Sequence, residues 1–285
     1  MLKIGIIGND KALITEYSKI INTLPNVILA GITSMPLEPL SDTCLLDEVL
    51  KTSDIICIVS PAGKNSITYI LKNFKHVFLD NFFSLSVEDF QYLSNTANEA
   101  DVAFRIANTS SLYPIKHWTE QHQLLPKYVE IQQHDKSKSI NSLLFANIGI
   151  AIKLARANIR KIHSIGMNTL SSGNQVAAIQ LEFSNGCVAD INLNTITTQP
   201  LHKLSIYYPQ GYDVLDLLEF KENNFQQKAG NTLHGEKFNN LNQEITDFIN
   251  SMGNNYLHTK YNRVDEEILS ATIQIKKKLA ETFVS

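Results

Sequence analysis

Residues Ser53 to Ala97 read S-D-I-I-C-I-V-S-P-A-G-K-N-S-I-T-Y-I-L-K-N-F-K-H-V-F-L-D-N-F-F-S-L-S-V-E-D-F-Q-Y-L-S-N-T-A, and the change of period within them decides the fold. Ile55 to Val59 is a continuous apolar run rich in β-branched residues, the pattern of a parallel strand covered on both faces, and Ser60-Pro61 ends it. Ile67, Ile70, Leu71 and Phe74 then recur at helical spacing. His76-Val77-Phe78-Leu79 is a second short strand, and Ser86 opens another helix with Asp89 three residues on, the spacing of a capping box. Strand, helix, strand and helix at this length make a βαβ unit with a right-handed crossover.

Outward from this stretch, Leu2 to Ile7 is a short apolar strand ending at Gly8. Lys11 to Leu24 follows, with Leu13, Ile14, Tyr17, Ile20, Ile21 and Leu24 on one helical face. Val27 to Thr33 is a further strand, a loop with two prolines leads to a short helix around Leu45 to Leu50, and Asp101 to Ile106 is again a strand. Residues 115 to 125, with Ile115, Trp118 and Leu125, read as a connecting helix. Tyr128 to Gln132 is a strand, Asp135 to Asn141 a polar loop, Leu143 to Ala155 an apolar helix and Lys161 to Gly166 a strand. From Val176 the chain is antiparallel. Ala177, Ile179, Leu181 and Phe183 alternate with Val176, Ala178, Gln180 and Glu182, Ser184-Asn185-Gly186 is a turn, and Cys187 to Thr195 alternates again. Leu204 to Tyr208 and Val214 to Phe220 continue the meander, and Glu222 to Glu236 reads as an exposed loop. Leu241 to Met252, stopped by Gly253, and Val264 to Phe283 are amphipathic helices that close the second domain.

The expected architecture is α/β: an N-terminal Rossmann doubly wound parallel sheet, residues 1–115, followed by an α+β domain with a large, mostly antiparallel sheet, residues 116–285. A length of 285 residues suits two domains of ordinary size. A formal net charge of -3, without a basic stripe, gives no electrostatic reason to expect nucleic-acid or anionic-membrane binding. Lys276-Lys277-Lys278 reads as a solvated last helical turn. Cys44, Cys57 and Cys187 match no metal or disulfide spacing, and a reducing cytoplasm is the expected home. His117 and His122 are five apart, off a shared helical face, and no metal site is expected. No run approaches the length of a membrane span, and the N-terminus starts directly on a strand.

The segments Asp54 to Pro61 and Lys75 to Ser86 resemble the Gfo/Idh/MocA oxidoreductases. The Rossmann half of that family reads D-x-V-x-I-x-T-P and, after about twenty helical residues, K-H-V-x-x-E-K-P-x-x-x-S. F-S-N-G-C-V-A-D-I-N-L at 183–193 and G-Y-D-V-L-D-L-L-E at 211–219 resemble the second domain of the family equally well, so the resemblance spans essentially the whole chain. It implies a nicotinamide cofactor held at the first turn and a lysine and a histidine-aspartate group that carry hydride chemistry.

At those positions this chain differs. The fingerprint G-x-G-x-x-G reads Gly8-Asn9-Asp10-Lys11-Ala12-Leu13, keeping only the first glycine, and Asp10 brings a negative charge to where a diphosphate would lie. Thr33 ends the second strand where an acidic residue would take the ribose hydroxyls, and no arginine follows to take a 2′-phosphate. Asn81 stands at the family's lysine and Phe82 at its proline, and Ser111-Leu112-Tyr113-Pro114 keeps the proline of R-x-N-P without the arginine. Ala146-Asn147-Ile148-Gly149 stands at H-D-x-D. Alanine cannot shuttle a proton and asparagine does not titrate near neutrality, so general acid-base work has no candidate there. The expectation is a non-catalytic relative that binds a small metabolite or a protein partner, with no cofactor. The alternative is an active NAD- or NADP-dependent dehydrogenase of a sugar or nucleotide sugar whose lysine is relocated to Lys153 or Lys116. If a nucleotide binds, Gly8, Asn9, Asp10, Thr33, Ser60, Pro61 and Asn81 are the residues that meet it. Members of the family commonly dimerise through the open face of the second sheet, which implies a homodimer formed here by Gln180, Glu182, Asp190, Asn192 and Asn194.

Overall fold

The computed structural model describes residues 1–34, 43–80, 85–107, 115, 119, 125–168, 175–218, 221–224, 233–234, 240–252 and 255–283. The expected loop over 35–42, the stop at Gly253 and most of the connecting segment 115–125 lie outside them. The chain divides into two compact units. The first comprises Met1–Asn108 with Leu241–Glu266, the second Thr109–Asn240 with Glu267–Ser285.

The first unit is a five-stranded parallel sheet in the order β2-β1-β3-β4-β5. Its strands are β1 (Leu2–Ile7), β2 (Val27–Thr33), β3 (Ile55–Ile58), β4 (His76–Leu79) and β5 (Phe104–Ile106), linked by α1 (Lys11–Ile21), α2 (Thr43–Thr52), α3 (Lys64–Lys72) and α4 (Val87–Glu99). β3 is buried at every residue, as its unbroken apolar run requires. α4 starts on the capping box foreseen in the sequence: Asp89 N donates to Ser86 Oγ and Ser86 N to the Asp89 carboxylate.

The second unit carries an eight-stranded sheet in the order β13-β12-β11-β10-β6-β9-β8-β7, antiparallel except for the pair β6–β9. The strands are β6 (Tyr128–His134), β7 (Ile159–Asn168), β8 (Gln175–Phe183), β9 (Val188–Asn194), β10 (Leu201–Tyr208), β11 (Gly211–Asp216), β12 (Lys221–Asn224) and β13 (Leu233–His234), with α5 (Ile140–Ala155) between β6 and β7. The β8–β9 turn closes on Gly186 at φ +81, a conformation that a β-carbon disfavours. β8 and β9 bury Ala177, Ile179, Leu181, Phe183, Ala189, Ile191 and Leu193 and turn Gln180 and Asn192 out to solvent, the alternation read from the sequence.

Five expectations change. The division between units falls after Asn108, not Ile115, and α6 (Asn240–Ser251) joins the first unit, because Ile245 and Phe248 enter the same core as Ile4, Tyr17, Ile55 and Phe78. Phe78 and Phe248 have ring centroids 5.4 Å apart. The apolar side of the second sheet is packed by α5, which lies against β6, β8 and β9, where the closing helices were expected. α7 runs over Asn255–Phe283, and its Lys278 is not merely solvated: Nζ donates to the Ile162 carbonyl at 2.6 Å, occupying part of the β7 edge. The stretch expected as a loop from Glu222 contains the short strands β12 and β13, paired in register through Lys221 with His234.

Candidate functional site

The ends of β1, β2 and β3 bring Gly8, Asn9, Thr33 and Ser60 together. Gly8 N donates to the Thr33 carbonyl at 2.9 Å, and Asn9 N donates to Ser60 Oγ. A β-carbon on Gly8 would stand 2.4 Å from Val59 Cγ2, so the surviving glycine is required by close packing of the turn on β3 whatever binds there. Pro61 follows Ser60 and is exposed.

Asp10 is the N-cap of α1. Its Oδ1 accepts from Ala12 N at 2.8 Å and Leu13 N at 3.2 Å, and its carbonyl accepts from Ile14 N. A dinucleotide diphosphate in its usual pose would need these N–H groups and would meet a carboxylate of its own sign. Thr33 closes β2 almost buried and brings no carboxylate for a ribose. The residues present do not fit the pyrophosphate of NAD or NADP in that pose.

Next to this turn lies a group that the sequence reading did not place in the site. Asp80 closes β4, its N–H donating to the Ile58 carbonyl. Burial pushes its carboxyl up to about 6; the charge of Glu16 adds to this and the Tyr17 hydroxyl opposes it. Tyr17 is buried in the core with a hydroxyl that makes no hydrogen bond of good geometry, although it lies near enough to Asp80 to favour the ionised carboxylate. The phenol is pushed well above its ordinary range by burial, then by Asp80, Cys57 and Glu244. Burial, and then Asp80, pushes the Cys57 thiol up too, which leaves it unreactive at neutral pH. The signal available in sequence was the position of Asp80 at the glutamate of E-K-P. Tyr17 counted there only as part of an apolar face. Asn81 and Lys116 lie outside the described residues.

In the second unit, α5 is buried along almost its whole length, and Ala146 and Asn147 are only 5% and 0% exposed. Asn147 is committed to structure. Its Nδ2 donates to Gln133 Oε1 at 2.5 Å and to the Leu143 carbonyl at 2.7 Å, and its Oδ1 lies 3.1 Å from His202 Nε2. Because Oδ1 can only accept, His202 Nε2 carries the hydrogen. Burial lowers the imidazole to about 4, helped by the charge of Lys138, so His202 is neutral at physiological pH. Lys153 sits in the last turn of α5, partly buried. The helix on which the resemblance places H-D-x-D thus holds a buried amide–imidazole network. Gln133 and His202 lie 14 and 55 residues from Asn147, and no local motif signals them.

On the open side of the second sheet, Tyr128 donates to Asp190 at 2.7 Å and Gln180 to the same carboxylate at 2.9 Å. Together with His163, Ile165, Ala178 and Asn192 they border a concavity of about 530 Å³. Tyr128, Tyr207 and Tyr212 form a row across three strands with successive ring centroids 5.5 Å apart. Among the described residues no group of three histidine, cysteine, aspartate or glutamate side chains could hold a metal ion, and no helix is long and apolar enough to cross a membrane.

No family model matches the chain. UDP-N-acetylglucosamine 3-dehydrogenase of Acidithiobacillus ferrooxidans is 20% identical over 228 residues, covering 73% of this chain and 72% of that protein. A solved structure of the same dehydrogenase superposes with a TM-score of 0.84 at 17% identity, over 99% of this chain and 98% of that one. GenD2 from gentamicin A biosynthesis, in complex with NAD, gives a TM-score of 0.77 at 12% identity over 98% of this chain and 94% of its own. The chain therefore has the fold of the Gfo/Idh/MocA-type dehydrogenases, the family its scaffold segments resemble.

Proposed function

We propose that this chain is a Gfo/Idh/MocA-like protein that transfers no hydride and binds a small metabolite or a protein partner where its relatives hold a dinucleotide. The observation that carries the reading is the Asp10 cap, which takes up the Ala12 and Leu13 N–H groups and places a like charge at the diphosphate position. The all-structural commitment of Asn147 supports it from the second unit. Titration calorimetry with NAD and NADP tests it: no heat of binding up to millimolar nucleotide is expected, and micromolar affinity overturns it. Buried, unpaired Cys57 and Cys187 suit a reducing cytoplasm.

The second reading is an active NAD(P)-dependent dehydrogenase of a sugar or nucleotide sugar, favoured by the relatives that act on UDP-N-acetylglucosamine or hold NAD. Nicotinamide absorbance with a panel of such substrates separates the two. Turnover abolished by Lys153→Ala or Lys116→Ala would establish the second reading.

The reading includes a homodimer through the open face of the second sheet, where Gln180, Asp190 and Asn192 border the concavity and can pair with a two-fold mate directly and through water. Light scattering over a concentration series should give self-association that Asn192→Arg with Asn194→Arg weakens by removing the sheet-face contact. A mass–concentration curve unchanged by that pair of changes would move this interface elsewhere.

A further inference from the structure

Phe74 follows the C-cap of α3 with φ +56 and is 71% exposed. Its N–H donates to the Leu71 carbonyl at 2.9 Å, and Asn73 N donates to the Tyr69 and Ile70 carbonyls, so Phe74 occupies the left-handed position that ends a helix. That position favours glycine, because a β-carbon there crowds the following carbonyl. A bulky side chain accepts this strain, and with most of its surface in water it gains little packing in return. Its two chain neighbours, Asn73 and Lys75, line a hollow of about 290 Å³ whose other walls are Asp47, Leu50, Lys51 and Tyr69. Tyr69 is itself 43% exposed and donates to Asp47 at 2.8 Å, while Lys75 Nζ reaches the Ser53 carbonyl at 2.8 Å. An exposed aromatic side chain therefore lies next in the chain to residues that line a hollow shared with Tyr69, all within the first unit.

We propose that this α2–α3 surface is an association site for a second copy of the chain, in which the Phe74 ring of each copy enters the hollow beside Tyr69 of the other. Phe74 and the hollow lie on one surface, which is what a two-fold contact requires, since the same patch must serve both sides. The charges that line the hollow have both signs, Lys51 and Lys75 with Asp47. Such a patch presents no single-sign field to a nucleic acid, a membrane or a one-signed peptide, and it can match its own image. A rigid aromatic anchor in a pocket with a charged rim is the composition of an interface hot spot. This site is independent of the sheet-face dimer: it lies in the first unit, and the sheet face lies in the second.

Sedimentation equilibrium of the full chain in the Asn192→Arg, Asn194→Arg background isolates the contact. That background should still dimerise; adding Phe74→Gly should weaken the dimer at least tenfold and, by removing the strain, raise the thermal midpoint of the dilute monomer by about 2 °C. Lys51→Glu, which leaves the backbone alone, should weaken it as well. A background that is monomeric with Phe74 in place overturns this proposal and leaves the sheet-face reading standing. Association unchanged by Phe74→Gly overturns it whatever the sheet face does.

Discussion

The first turn of the parallel sheet and the buried helix α5 are two of the places where side chains expected of a dehydrogenase are replaced, and the replacements are held in opposite ways. Asp10 is exposed and satisfied by the two N–H groups that follow it in the chain. Asn147 is fully buried and satisfied by groups on β6 and β10 as well as by its own helix. A local substitution on the surface alters a ligand preference with little effect on the fold. A buried one is tied to its neighbours and cannot be reverted alone, because a charge put back there would lack its partners.

That contrast gives the largest expected effect. Asn147→Asp restores the aspartate of H-D-x-D but sets a carboxylate beside Gln133 Oε1 and the Leu143 carbonyl, two acceptors now 2.5 Å and 2.7 Å from Nδ2. Urea unfolding should show a loss of about 3–5 kcal/mol at pH 7. A loss under 1 kcal/mol would mean that the network rearranges freely and the contrast fails.

The pH dependence sharpens the comparison, since each region holds one displaced buried group. The Asp80 carboxyl is raised from 3.8 to about 6, so the native state holds its proton longer than the unfolded one. Stability from that proton is complete below about pH 4 and is lost as pH rises through 6. His202 is lowered from 6.5 to about 4; stability from its neutral form is complete above about pH 6.5 and is lost as pH falls through 4. Relative to wild type, Asp80→Asn should therefore gain about 2–3 kcal/mol between pH 4 and 7, and His202→Gln should flatten the acid limb by a similar amount. Denaturant midpoints at half-unit pH steps measure both. A parallel curve for either variant removes that group from the account.

Gly8→Ala probes the turn without touching charge. With Val59 Cγ2 at 2.4 Å from the new methyl, about 1–3 kcal/mol should be lost, and a neutral result would show that the turn can open. Asp10→Ala should cost the least, about 1 kcal/mol for the lost cap, with thermal unfolding as the check. A cost above 3 kcal/mol would show that Asp10 is bound into more than its own helix.

The sequence by itself determined the order of elements, because periods of 2 and 3.6 and the capping and turn residues are local. Ile55–Ile58, the Ser86–Asp89 box and the alternation of β8 and β9 were legible for that reason. It also determined that only the first of the three fingerprint glycines is present, as Gly8, and that Asp10 brings a carboxylate to the turn. Tertiary structure alone decided that α6 completes the first core, since the apolar face of Ile245 and Phe248 would suit either sheet equally. Tertiary structure alone also paired Asn147 with His202 and set Tyr17 beside Asp80, because burial and long-range hydrogen bonds are properties of the packed chain and leave no spacing in its residues.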